Sequence, residues 1–220
     1  MFDLDDTLVD WRTSVLRAAT EAAGADVAER LVEWGEANIW RRRDGIVVGR
    51  DTWKLVEYAE ITWAAALPGL DEAELALAIK RFRADLWIAF FPDVVPALDE
   101  LVQEHRLAVL SNNPYLDLEV ARLRLDDWFE VAVAVPREEM KPDRRAFDRT
   151  LAALGTSAEG TVYVGDSIAA DVEGAVGAGW TAVWLDRHED GWTAPPEVHR
   201  ITSLAELGPL LDALPPPPGS

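Results

Sequence analysis

The chain is predicted to fold as an α/β protein, a doubly wound, Rossmann-like parallel sheet interrupted by one all-helical insertion. Three observations carry this. From Pro92 onward, short apolar runs alternate with helical patterns of roughly ten residues, the grammar of crossovers in a parallel sheet. Before it, residues 11–90 carry apolar residues almost wholly at helical spacing. Ahead of both, Met1-Phe2 reads as the end of an apolar strand running into Asp3. The insertion therefore parts the first strand from the rest of the sheet.

The elements follow in order. Helices are expected over 11–23, 27–42, 52–66 and 71–90, punctuated by Gly24, Gly45, Gly49 and Pro68-Gly69. Asp71 followed by Glu74 is a capping-box pattern that opens the last of them. Next come a helix over 93–104 and a strand over 106–110 that ends in Ser111-Asn112-Asn113. A helix over 115–125, a strand over 129–135 and a helix over 143–154 closed by Gly155 continue the alternation. A strand over 161–164 ends in Gly165-Asp166-Ser167. Helix 170–178, strand 181–185 and helix 203–211 complete the pattern. The domain reading is a core of 1–10 and 91–214, a helical insertion of 11–90, and a disordered proline-rich tail of 215–220.

Composition narrows the function. Forty acidic residues against 21 basic ones give a net charge of −19, a surface that repels nucleic acid and anionic membrane. With no cysteine, thiolate catalysis, disulfides and Cys-ligated zinc are excluded. Three histidines, none at ligand spacing, argue against a histidine metal site. The chain lacks a long apolar span and a basic leader, so a cytoplasmic location is expected.

Polar signatures fall where the apolar strands end, the edge at which open α/β sheets bind ligands. They are Asp3-Leu4-Asp5, Ser111-Asn112, Lys141 after the strand of 129–135, and Gly165-Asp166-Ser167 with Asp171 beyond it. Several carboxylates in one cleft raise each other's pKa, and a hard cation with all-oxygen ligands, Mg²⁺, resolves the conflict. Asp3 could then attack phosphorus, with Mg²⁺ and Lys141 offsetting the repulsion between anions. Asp5 would protonate the leaving oxygen and later deprotonate water. Ser111, Asn112 and the backbone N–H groups there would hold phosphoryl oxygens.

Four motifs in this order resemble the haloacid dehalogenase-like (HAD) superfamily: Asp3-Leu4-Asp5-Asp6-Thr7-Leu8, Ser111-Asn112, Lys141-Pro142, and Gly165-Asp166-Ser167-Ile168-Ala169-Ala170-Asp171. The resemblance implies a Mg²⁺-dependent phosphohydrolase with an aspartyl-phosphate intermediate, acting on a small phosphorylated metabolite. Asp3 would be the nucleophile and Asp5 the general acid/base. Mg²⁺ would be held by the Asp3 carboxylate, the Asp5 backbone carbonyl and Asp166, with Asp171 in support. The insertion resembles the family's helical C1-type cap. Members that dehalogenate lack a carboxylate at the Asp5 position, so the resemblance points to the phosphatase branch. The alternatives are a sugar-phosphate mutase, which shares the nucleophile and cap, and a non-catalytic protein that uses the site only to bind phosphate. A serine esterase built on Gly165-Asp166-Ser167-Ile168 lacks its Asp-x-x-His partner, since Pro196 stands three residues before His199.

Several residues take plainer readings. Asp6 is expected to face solvent or back the site, and Asn113 to form a turn with Pro114. The insertion's tryptophans (Trp11, Trp34, Trp40, Trp53, Trp63 and Trp87) are expected to be core. Arg41-Arg42-Arg43 beside Trp40 reads as a solvated cluster, with contact to an anionic substrate as the alternative. Only Met1 and Phe2 precede Asp3, short for a central strand, so a natural start upstream of Met1 is expected.

Overall fold

The computed structural model describes residues 1–35, 63–113, 116–189 and 191–215. The chain divides into two compact units, Met1–Val9 with Phe90–Ser220, and Asp10–Ala89.

The first unit is a parallel sheet with helices. Among the described residues its strands are β1 (Ala108–Ser111), β2 (Val131–Ala134), β3 (Val162–Gly165), β4 (Thr181–Leu185) and β5 (Val198–Ile201). β1 pairs with β2, and β3 with β4 and β4 with β5, all parallel. Met1–Asp3 joins the two groups. Phe2 bridges Val109 on one side and Val164 on the other. Phe2 N–H donates to Ala108 O, Leu110 N–H to Phe2 O, Asp3 N–H to Val164 O and Val164 N–H to Met1 O, each at 2.9 Å. The resulting order is β2–β1–(Met1–Asp3)–β3–β4–β5. Because every pairing is parallel, all the strands present their C-terminal ends at one edge.

The core explains the fit of the surrounding helices. Met1, Leu110, Phe147, Tyr163, Trp180 and Trp184 belong to one buried apolar cluster. Phe147, Tyr163 and Trp180 meet edge to face, with centroids 5.3, 5.3 and 6.0 Å apart. Helix Arg144–Leu154 starts on the Asp143 carboxylate, which accepts from Arg145 N–H, and ends at Gly155 in the left-handed region. A Cβ on Gly174 would lie 2.9 Å from the Phe147 ring, so only glycine lets helix Glu173–Ala178 come this close.

The second unit is helical among its described residues: Trp11–Ala23, Ala25–Gly35, a turn over 63–66, and Glu72–Asp85. Val15, Ala18, Leu31, Trp63, Ile79 and Phe82 lie in its core. The expected capping box is present, Asp71 accepting from Glu74 N–H while Glu74 accepts from Asp71 N–H. The tryptophans divide. Trp63 is fully buried, Trp11 packs at the core edge, and Trp87 is exposed. Trp40, Trp53 and Arg41-Arg42-Arg43 lie outside the described residues, as does most of the expected tail.

Element boundaries moved where tertiary pairing intervenes. The helix expected over 71–90 stops at Asp85, and Phe90 instead bridges Val9. The last-but-one helix starts late, at Glu173, because Ile168–Val172 forms a wider π-helical turn. β5 was not foreseen: it is four residues long and two of them, His199 and Arg200, are polar. Among the described residues no helix is long and apolar enough to cross a membrane.

Candidate active site

Asp3 leaves the central strand at the carboxyl edge of the sheet. The chain then makes one tight turn: Leu8 N–H and Val9 N–H both donate to Leu4 O, and Asp6 N–H donates to Val9 O. Asp6 sits at φ 58° to allow it. This turn puts Asp3, Asp5 and Thr7 near the neighbouring strand ends.

Lys141 is the centre of the constellation. Its Nζ donates to Asp3 Oδ1 at 2.6 Å, Asp171 Oδ1 at 2.6 Å and Tyr163 Oη at 2.7 Å. A lysine has three N–H donors, and these contacts use all of them. Its side chain is 2% exposed. Its backbone is fixed as firmly, because Asn112 Oδ1 accepts from Lys141 N–H and Asn112 Nδ2 donates to Lys141 O. The Asn112 side chain is thus occupied in seating the Lys141 loop, while phosphate binding was expected of the residue and of the backbone N–H groups there. Only its backbone N–H remains for an anion.

Asp171 is buried and satisfied from three directions. Besides Lys141, Tyr163 Oη lies 3.2 Å from Oδ1, and Ser167 N–H donates to Oδ2 at 3.0 Å. Its carboxylate lies over Gly165, where a Cβ would fall 2.4 Å from Asp171 Cγ. That close approach is the physical reason for glycine in Gly165-Asp166-Ser167. Asp166 accepts from Thr7 Oγ1 at 2.9 Å. Asp3, Asp166 and Asp171 each offer an oxygen within 4.8 Å of one another, a group able to hold a metal ion.

Asp5 stands apart from Lys141's three contacts. Its carboxylate accepts from Asn113 Nδ2, at 3.2 Å to Oδ2. Asn113 is buried, and its N–H also donates to Ser111 Oγ at 3.0 Å. The plain-turn reading of Asn113 is therefore incomplete, since it ties Ser111 to Asp5. Ser111 is itself buried at the end of β1.

Electrostatics set the character of the cluster. Burial, opposed by Lys141 and reinforced by Asp171 and Asp5, pushes Asp3 up to about 8. Burial also pushes Asp5 up to about 6, against the Asn113 hydrogen bond and the Lys141 charge. Asp166 rises well above the ordinary carboxylate range through burial and the charges of Asp171, Asp6 and Asp3. Asp6 thus acts on the site electrostatically. Burial favours neutral Lys141, but Asp171 and Asp3 outweigh it and raise its pKa. Four aspartates share one lysine, so the site is short of positive charge when its acids ionise. That shortage and the all-oxygen donor set suit a small hard dication.

Sequence reasoning assigned Asp3, Asp5, Ser111, Asn112, Lys141, Asp166 and Asp171 to the site, and these residues all lie along the one sheet edge. It gave no role to Tyr163, Asn113 or Thr7. Thr7 stood inside a quoted motif, and a tyrosine flanked by valines two residues before Gly165 was a usable signal for a buried hydroxyl.

A family model described as haloacid dehalogenase-like hydrolase matches residues 1–179. The N-acylneuraminate-9-phosphatase of Rattus norvegicus is 30% identical over 131 residues, 56% of this chain and 52% of that protein. The chain thus spans about half the length of this curated relative. Among solved structures, the HAD-hydrolase YfnB of Bacillus subtilis bound to magnesium is similar, with 25% identity, TM-score 0.73 and 96% of each chain covered. A 2-haloacid dehalogenase from Pseudomonas syringae pv. Tomato DC3000 is 27% identical, with TM-score 0.64 and the same coverage.

Proposed function

Because the chain belongs to the haloacid dehalogenase-like hydrolases, we propose that it is a Mg²⁺-dependent phosphatase of a small phosphorylated metabolite. The observation that carries this reading is Asp5. A second, half-buried carboxylate two residues beyond Asp3, held by Asn113, supplies a proton-transfer group that a dehalogenase does not need. The rat phosphatase and the magnesium-bound relative agree with it.

In this mechanism Lys141 holds Asp3 Oδ1 and leaves the other oxygen to attack phosphorus. The Asp3–phosphorus bond forms as the ester P–O bond breaks, and Asp5 gives its proton to the leaving alkoxide. Asp5, now ionised, takes a proton from water, which attacks the aspartyl-phosphate and releases inorganic phosphate with Asp3 restored. Ser111 donates its hydroxyl to a phosphoryl oxygen, joined by the backbone N–H of Asn112. Mg²⁺ would be held by Asp3, the Asp5 carbonyl and Asp166, with Asp171 in support, and when bound would neutralise the phosphoryl charge. The helical unit would serve as a cap that admits substrate and limits water.

A panel of phosphate esters, with and without Mg²⁺, tests this beside 2-haloacids followed by halide release. Phosphate release that needs Mg²⁺ is expected, abolished by Asp3→Asn and nearly so by Asp5→Asn. Metal-independent halide release, or an Asp3→Asn variant of wild-type activity, would refute it.

A further inference from the structure

Arg187 lies two residues beyond the end of β4 and outside every motif described above. Its Nη2 and Nε donate to the carbonyl of Thr7 at 2.8 and 3.3 Å. Its Nη1 donates to Asp93 Oδ2 at 2.9 Å, and the guanidinium lies 4.0 Å from the centroid of the Phe91 ring. The side chain is 9% exposed. Asp93 Oδ2 also accepts from Ser203 Oγ and Leu204 N–H, each at 2.8 Å, so the partner of Arg187 is itself immobilised. A planar fork held between an ion pair and an aromatic face has one orientation.

What that orientation serves is Thr7. The tight turn after Asp5 satisfies Leu4 O and Val9 O from its own backbone. Among the described residues no backbone N–H donates to Thr7 O; Arg187 does so twice. Thr7 is fully buried, and its hydroxyl donates to Asp166 Oδ1 at 2.9 Å. Fixing a residue's carbonyl limits where its Cβ points, and threonine's stiff χ1 then limits where the hydroxyl can reach.

We propose that Arg187 is a positioning residue: by holding the Thr7 carbonyl it keeps the Thr7 hydroxyl on Asp166, and so presets that carboxylate for Mg²⁺. The inference rests on the metal-dependent reading above and adds to it a control point outside the motifs. Groups behind a metal ligand commonly carry about ten- to a hundredfold in metal affinity. A purely structural role is the competitor. In that case Arg187 would matter only for pinning the loop after β4 to Asp93.

Calorimetric titration with Mg²⁺ separates the two. Arg187→Met should weaken Mg²⁺ binding about tenfold. Arg187→Lys, which keeps the charge without the fork, should recover part of that loss. Asp93→Asn disturbs the ion pair but spares the bonds to Thr7; it should lower the melting temperature while leaving Mg²⁺ affinity within about twofold. Thr7→Val should weaken Mg²⁺ binding by itself, and adding Arg187→Met should weaken it no further, because both act through one hydroxyl. If Arg187→Met does not fold, Arg187→Lys decides. Wild-type Mg²⁺ affinity in the folded Arg187 variants, or multiplicative losses in the double variant, would overturn the proposal. A wild-type protein that neither binds Mg²⁺ nor releases phosphate would remove its premise, and is told apart because the failure is in the parent.

Discussion

Gly165→Ala offers a direct test of how tightly the site is built. The new Cβ would stand 2.4 Å from Asp171 Cγ, 2.5 Å from its Cβ and 2.6 Å from its Oδ2. To regain an ordinary separation of 3.4 Å the carboxylate must retreat by about 1 Å. Asp171 Oδ2 now accepts from Ser167 N–H at 3.0 Å and Oδ1 from Lys141 at 2.6 Å; a shift of that size breaks at least one of these bonds. Each hydrogen bond to a buried charge is worth about 1.5–3 kcal/mol, so losing one or both is expected to cost about 1.5–6 kcal/mol. For a chain of this length that is about 3 to 24 °C in melting temperature. Thermal melts followed by circular dichroism read the stability, and the proposed Mg²⁺-dependent phosphate release reads the site. Both should fall together, because Lys141 holds Asp3 through the same cluster. An alanine variant that melts within about 1 °C of the parent would show that Asp171 is not packed against Gly165 as described.

Three further outcomes are expected. Lys141→Met leaves Asp3 and Asp171 buried without their shared cation, and should cost about 3–5 kcal/mol of stability at neutral pH in urea unfolding. Stability without metal should fall as pH rises toward 8. Asp3, at about 8 in the folded protein against an ordinary 3.8, keeps a proton that the unfolded chain has already lost, so the native state binds more protons in that window. Melting temperature in chelator should therefore decline between about pH 5 and 9, and Mg²⁺ should restore more of it at the upper end; a rising curve would contradict the charge shortage. In the helical unit, Asp71→Ala removes the capping box of helix Glu72–Asp85 and should cost about 0.5–2 kcal/mol, read as loss of helical signal on heating.

Legibility in the sequence followed the range of the interaction. The Asp71–Glu74 box and the Gly155 cap were readable because each spans at most one helical turn or marks its end. Asp3, Lys141, Asp166 and Asp171 were readable because charged residues at the ends of apolar runs are conspicuous. Asn113 and Arg187 were not, because their partners Asp5 and Thr7 lie far along the chain, and an asparagine before a proline or an arginine in a polar loop is unremarkable by itself. Asn112 shows the converse. Its side chain serves the Lys141 backbone, a use that only the fold reveals. The end of the helix at Asp85 yielded to a long-range pairing, Phe90 with Val9, that local propensity does not encode.

Met1–Asp3 lies between β1 and β3 and is the seam of the sheet, which has a consequence for how activity arises. Met1 N donates to Val162 O across 161 positions of sequence, at 2.7 Å. Closing so long a loop is entropically slow, and sheets dominated by such pairings fold late. β1–β2 and β3–β4–β5 can each form with no help from this segment, but neither then contains Asp3. Asp3, the proposed nucleophile, enters only when the seam closes. In a refolding experiment, the proposed phosphate release should therefore appear with the last structural phase and never ahead of it, since a partly folded chain holds the lysine and the supporting acids without Asp3.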